Sequence, residues 1–268
     1  NYSNYCWGYN FDWQSRAFYL PKFTPTIVNT SFIGHSILDL YEITKDKKLL
    51  EIVKSSCEFI VNDLNRFETD SHLCFSYTPL DNTRVNNASI LGAGLIARYS
   101  KMKSIDNYDE LIDKCSNYLI YHQRDNGSWA YAQTNYQGWV DSFHTGFNLF
   151  SLKFINEKLN NSAIGKSILH GTKFYEDNFF LSDGAPKYYH NKTYPLDLHS
   201  SAMGLVYFSD INRKLSTKIY DWMVNNMLDD EGYFYFRKNK FFKNRISYMR
   251  WVQAWAFFGL TYFLLHEK

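Results

Sequence analysis

The sequence has no apolar run approaching the roughly 18 residues that a membrane-spanning helix needs, and no segment reads as a signal peptide. Its four cysteines, Cys6, Cys57, Cys74 and Cys115, stand far apart, with no CxxC pair and no nearby histidine at metal-ligand spacing. That argues against a disulfide framework and against a zinc site. There is no GxSxG elbow to carry a serine nucleophile. Net charge is only +2 over 268 residues, and basic residues interleave with acidic ones. The balance gives no reason to expect nucleic acid or an anionic membrane as partner. The expectation is a cytoplasmic protein that needs no metal or other cofactor, its oligomeric state left open.

What the chain has in excess is aromatic residues: 22 Tyr, 22 Phe and 7 Trp, 19% of the total. Core packing accounts for most of the Phe. Many Tyr and Trp instead fall in short segments that recur about every 55 residues: Cys6-Trp7-Gly8-Tyr9, Cys74-Phe75-Ser76-Tyr77, Gly127-Ser128-Trp129-Ala130-Tyr131, Gly184-Ala185-Pro186-Lys187-Tyr188 and Gly232-Tyr233-Phe234-Tyr235-Phe236. After each comes an apolar helix, opening near Asn29, Asn87, His144, His199 and Ala254. A more charged, amphipathic helix follows wherever the chain continues, as in DKKLLEIVKSSCEFIVNDLNRF. Fixed-period self-similarity is the signature of a repeat architecture.

Apolar spacing predicts helices over roughly 26–43, 46–66, 86–103, 107–123, 142–159, 162–179, 197–211, 213–228 and 247–266. Glycine recurs five residues into four of the apolar helices, at Gly34, Gly92, Gly204 and Gly259. Each costs about 1 kcal/mol of helix propensity, so its recurrence at one register predicts close helix approach. An apolar helix beside an amphipathic one predicts an inner ring of helices inside an outer ring. The pattern is all-α, an α/α toroid of helical hairpins with short β-hairpins at one end, forming a single domain over 1–268. About five repeats are visible; the sequence starts inside a hairpin and ends on an inner helix, so either an N-terminal segment of one to two hairpins is missing, which is the expectation, or the ring is shorter and open.

The hairpin-plus-inner-helix register resembles the six-hairpin toroid superfamily, which holds sugar epimerases, unsaturated-uronyl hydrolases, polysaccharide lyases and, more distantly, terpene cyclases and prenyltransferases. The segments CWGYNFDWQ, CFSYTPLD, NGSWAY and WVDSFHTGFN further resemble bacterial proteins from cell-surface polysaccharide biosynthesis clusters. Gln123-Arg124-Asp125-Asn126-Gly127-Ser128-Trp129 matches the Q-x3-G-x-W repeat of triterpene cyclases, where it looks like a helix-end clamp. The acidic DxDD and DDxxD motifs of isoprenoid chemistry are absent.

In such a ring the inner-helix openings converge, which singles out Asp141 and His144 in one repeat and Asp197 and His199 in the next. Two carboxylate–imidazole pairs on neighbouring helices suit proton transfer on either side of a ligand. Each aspartate is equally well placed to cap its helix, and each histidine to sit in the core. Arg250 is read as a partner for Asp141 or Asp197, or for an anionic ligand group. Asn87, a helix cap or a ligand contact, joins Trp7, Tyr9, Trp13, Trp129, Tyr131, Trp139 and Trp251 as candidates for sugar binding, since an indole or phenol offers a flat apolar face and a polar edge. The resemblance implies an enzyme of polysaccharide biosynthesis with epimerase-, isomerase- or lyase-type acid/base chemistry on a sugar or uronic acid. A glycoside hydrolase using Asp141 and Asp197, a non-catalytic glycan-binding toroid and a terpene-type toroid are the alternatives.

Overall fold

The computed structural model describes residues 2–15 and 18–266 and divides into two compact units. The first comprises residues 1–124, 129–138 and 150–168; the second comprises 125–128, 139–149 and 169–268.

In the first unit a two-stranded ribbon, β1 (Trp13–Gln14) and β2 (Tyr19–Leu20), precedes α1 (Ile27–Thr44) and α2 (Lys47–Asp63). A second ribbon, β3 (Arg66–Glu68) and β4 (Leu73–Phe75), precedes α3 (Asn86–Lys103) and α4 (Asp109–Tyr121). The apolar helices pack on one another. A Cβ on Gly34 would meet the Leu95 side chain of α3, and one on Gly92 would meet Ile27 of α1. The amphipathic helices α2 and α4 bury one stripe each against α1 and α3.

Helices α5 (Ser142–Leu159) and α6 (Ser162–Phe179) run from one set of residues into the other. The second unit adds β5 (Leu196–Asp197), the fully buried α7 (Leu198–Phe208), the amphipathic α8 (Arg213–Met227), the hairpin β6 (Arg237–Lys238) and β7 (Lys243–Asn244), and α9 (Ala254–Leu265) after one π-helical turn, Met249–Gln253. The three strands form an antiparallel sheet in the order β5-β6-β7. Here too apolar helix lies on apolar helix: a Cβ on Gly146 of α5 would meet Met203 of α7, and Gly259 of α9 faces the Ala202 backbone. The repeat is visible in the turns as well. Gly127, Gly184 and Gly232 all hold φ between 87° and 89°, a left-handed conformation that only glycine adopts without strain.

The helices foreseen at 86–103, 142–159 and 162–179 have those bounds. Others start or stop a few residues away, for identifiable reasons. Helix α1 opens at Ile27, two residues before Asn29, because the buried Thr26 hydroxyl accepts the Asn29 N–H and is the cap. Helix α3 opens at Asn86 with Val85 as its cap residue, so Asn87 lies inside the helix and caps nothing. The last predicted helix is interrupted at its start by the π-helical turn. Among the described residues no helix is long and apolar enough to cross a membrane.

Two glycines on similar helical backbone should respond oppositely to alanine. A Cβ on Gly259 would lie 2.8 Å from the Ala202 carbonyl oxygen and 2.9 Å from its Cα, backbone atoms that cannot rotate aside. Gly165 on α6 has only the Asn156 amide nitrogen at 3.9 Å. Denaturant titration should therefore show Gly259→Ala losing about 1–3 kcal/mol and Gly165→Ala gaining about 0.4–1 kcal/mol. A stabilised Gly259→Ala would refute close packing of α9 on α7.

Candidate functional site

Helix α5 begins where the chain leaves an isolated bridge between Asp141 and Tyr189, with the Ser142 N–H donating to the Tyr188 carbonyl. That leaves Asp141 at the helix cap, and its buried carboxylate is enclosed by donors. Oδ1 accepts the His144 backbone N–H at 3.0 Å, Oδ2 accepts the Trp139 indole N–H at 2.9 Å, and the same Oδ2 lies 2.7 Å from His144 Nδ1. An ionised carboxylate only accepts, so the proton on the His144 ring is on Nδ1 and the lone pair is on Nε2. The carboxylate has no exposed surface, while the imidazole keeps 20% of its own. A carboxylate that fixes the tautomer and supports positive charge on a partly open imidazole is the arrangement of a general base.

The next repeat uses the same cap position differently. Asp197 caps α7 by accepting the Ser200 N–H at 3.2 Å, and its other oxygen accepts Arg237 Nε at 2.6 Å. These two residues are direct partners across β5 and β6. The difference from Asp141 lies in one residue of spacing. His144 stands three positions after its aspartate, where a helical side chain folds back over the cap; His199 stands two after, rotated away from it. The sequence reading treated the two pairs as equivalent, and the structure joins Asp141 to His144 but not Asp197 to His199. Nor had it singled out Arg237. Its guanidinium lies over the rings of Tyr188 and Phe236, 4.5 and 4.4 Å from their centroids. The available signal was its place at the end of the last aromatic hairpin, but that it pairs with Asp197 depends on the register of strands 40 residues apart.

His199 sits in an aromatic box. Phe143 stacks on it at 4.3 Å and 16°, Trp255 lies at 4.1 Å, Trp251 meets it edge-on at 4.7 Å, and Phe147 closes a further side. Neither ring nitrogen has a hydrogen-bond partner, and the residue is 1% exposed. Burial holds its pKa well below the usual 6.5, with the nearness of His144 and Arg237 acting in the same direction. Burial also raises the Asp197 carboxyl above its usual range, against the opposing pull of Arg237. Tyr188 is raised in turn by burial and by the nearness of Asp141 and Asp197. Trp251, 36% exposed, and the exposed Arg250 lie on the π-helical turn. Gln253 lies on the same turn. It grips the backbone of Phe234, accepting its N–H at 3.0 Å and donating to its carbonyl at 2.7 Å.

In the first unit Tyr9 packs edge-on against Trp13, which contacts Phe18 and Tyr77, while Trp7 stacks on Tyr5. Asn87 and Tyr131 are buried. Trp129 is also buried, donating its indole N–H to the Leu119 carbonyl at 3.0 Å. Gln123 donates to the Ser167 carbonyl and accepts from its hydroxyl, so the Q-x3-G-x-W run ties the end of α4 to the flank of α6. Among the described residues no three His, Cys, Asp or Glu side chains gather as a metal site.

No protein-family model matches the sequence, and no curated protein does. Solved structures do. Cellobiose 2-epimerase from Bacillus thermoamylovorans B4167 superposes with a TM-score of 0.67 at 13% identity, over 90% of this chain and 72% of its own. Unsaturated glucuronyl hydrolase from Bacillus sp. GL1 gives 0.66 at 11% identity, over 90% and 74%. D-mannose isomerase gives 0.65 at 8%, over 89% and 71%. The fold is the α/α toroid. Along the chain its apolar helices α1, α3, α5, α7 and α9 alternate with the amphipathic α2, α4, α6 and α8. At such identities the likeness extends to fold and not to individual residues.

The buried histidines set an acid limit on stability. His35 in the first unit packs against Phe154 and Phe150, with both nitrogens unpartnered and its pKa lowered to about 3 by burial and the neighbouring Arg98. As pH falls, the unfolded chain takes up protons first, so stability is full above 6.5 and is lost on the way down toward about 3. Each such histidine adds about 1.4 kcal/mol per pH unit to the slope. Unfolding free energies measured between pH 7 and pH 4.5 should show that slope reduced in His199→Phe and again in His35→Phe. An unchanged slope would mean the rings are solvated.

Proposed function

We propose that this protein is a carbohydrate-active enzyme that moves a proton on and off a sugar carbon beside its carbonyl, as an epimerase or isomerase does. The observation carrying the reading is the 2.7 Å contact between Asp141 and the partly exposed ring of His144. His144 Nε2 removes the proton from the carbon next to the carbonyl of the open-chain sugar. The C–H electron pair moves into the new C=C bond, and the carbonyl oxygen takes up the negative charge as an enediolate. Asp141 faces the imidazolium that results. Return of a proton to the opposite face inverts the carbon; return at the neighbouring carbon isomerises the sugar. His199, held neutral by burial, is the second proton carrier in this proposal: once Trp251 moves aside, the His199 ring N–H supplies the proton for the opposite face. The solved toroids of similar fold are sugar epimerases, an isomerase and hydrolases by name, which supports a sugar substrate. Trp251 and Trp139, in the same unit as His144, are the aromatic groups we propose for sugar contact, with Arg250 for an anionic or hydroxyl group. Surface-polysaccharide biosynthesis in the cytoplasm is the setting we propose, from the sequence segments alone.

A hydrolase built on Asp141 and Asp197 is less well supported. Such a pair needs one carboxyl that can give a proton to the leaving oxygen and another that reaches the sugar or a water. Asp141 already accepts three N–H groups, Asp197 is ion-paired to Arg237, and neither side chain has exposed surface.

The test is exchange in D2O. Cellobiose, D-glucose, D-mannose and a uronic acid are incubated with the protein, and loss of the C2 proton is followed by NMR. The wild type should exchange at least one of them and form its epimer or isomer. His144→Ala should abolish exchange with its circular dichroism unchanged. His199→Ala should keep exchange and lose inversion. Absence of exchange with every sugar, or full turnover in His144→Ala, would remove the proposal.

A further inference from the structure

The even charge balance of the whole chain conceals one local imbalance. Residues 237–250 contain six cationic side chains, Arg237, Lys238, Lys240, Lys243, Arg245 and Arg250, and no acidic one. Most of this stretch forms the hairpin of β6 and β7, closed by an Asn239 N–H to Phe242 carbonyl bond of 2.8 Å. Its turn carries Phe241 and Phe242 at 87% and 64% exposure, and Ile246, Tyr248 and Met249 beyond it are exposed too. Acidic groups meet only part of this charge. Arg237 is committed to Asp197, and Arg245 lies near Asp229 in the turn Asp229-Asp230-Glu231, where Asp229 also holds the Tyr235 hydroxyl. Lys238 donates to the Asn226 side-chain carbonyl, Lys243 lies over the Tyr235 ring and Lys240 over Phe241; among the described residues none of the three has a carboxylate partner.

Lysine on an edge strand is a common guard against strand pairing between molecules, and Lys243 would serve that end alone. Two adjacent exposed phenylalanines work against it, since they add apolar surface where the lysines keep the edge soluble. Apolar side chains at a tip, ringed by lysine, are the chemistry of an anionic bilayer surface, where the rings enter the acyl boundary and the ammonium groups stay among the headgroups. An anionic glycan would share the charge but fits the tip less well: Phe241, Phe242, Ile246 and Met249 have no polar edge to hydrogen-bond a sugar, and of these exposed apolar residues only Tyr248 has one.

We propose that the Lys240–Lys243 turn is a membrane-surface docking element that recognises anionic lipid. It does not rest on the enzymatic reading above and can fail without it. The test is co-sedimentation of the whole protein with vesicles of phosphatidylcholine containing about one-third phosphatidylglycerol, against vesicles of pure phosphatidylcholine. Partition onto the anionic vesicles should be about tenfold stronger or more, and should fall as salt is raised. Phe241→Ser with Phe242→Ser, and separately Lys240→Glu with Lys243→Glu, should each weaken it about tenfold. All four positions are exposed, and circular dichroism of both variants should match the wild type. Failure to bind anionic vesicles overturns the proposal. Binding that ignores the phenylalanine substitutions and is matched by soluble polygalacturonate overturns it in favour of an acidic glycan.

Discussion

A carboxylate that is buried must be surrounded by donors, and at the start of a helix the backbone supplies the first of them. Asp141 meets that constraint with the His144 N–H, then completes its shell with two side chains, the Trp139 indole and the His144 ring. One residue thereby ends the preceding loop, starts α5 and orients an imidazole. Capping and chemistry are not competing explanations of Asp141, because the oxygen that holds the ring is not the oxygen that holds the helix. Replacing it with a neutral side chain would loosen the helix start and the imidazole together, so the two roles cannot be separated by stability alone.

The same constraint gives a different result one repeat later. Asp197 also takes a backbone N–H from its own helix, but with the histidine a residue too early its remaining oxygen is left to a strand partner, Arg237. His199, released from the carboxylate, turns into an aromatic box where neither nitrogen is bonded. An unbonded buried imidazole is costly, on the order of 1–3 kcal/mol for each unsatisfied polar group. His35, with Thr26 rather than a carboxylate at its cap, is likewise buried against two aromatic rings with neither nitrogen bonded, so an aromatic enclosure does not by itself mark a reacting group.

Much of the architecture was legible because it rests on local pattern: a period near 55 residues, apolar helices alternating with amphipathic ones, and glycine at a fixed register. Gly259 on the Ala202 backbone and Gly34 against Leu95 are the close approaches that the glycine pattern foretold. The helix openings were less legible. The first apolar helix opens before Asn29, because Thr26, anchored by its N–H to the Trp7 carbonyl, is the cap. In the site, the Asp141–His144 contact follows from spacing within one turn of helix. Arg237 could not be found that way, since its partner is set by strand register across two intervening helices. The offset of three against two residues was in the sequence all along, and helical geometry alone distinguishes the two histidines.

That distinction bears on which histidine can act. Acid/base sites work by placing titratable groups in environments that push their protonation apart. Around His199 every influence opposes a proton: burial first, then the nearness of His144 and Arg237. Around His144 a carboxylate stands 2.7 Å from the ring on one side and the other side keeps exposed surface. An imidazole that removes a proton must tolerate the positive charge it gains, and only His144 has a counter-charge in place for it. His199 is suited to the opposite duty, a neutral ring in a dry enclosure that Trp251 covers. Two histidines at like positions of adjacent repeats have thus been made chemically unlike by a single inserted residue and one arginine from a distant strand.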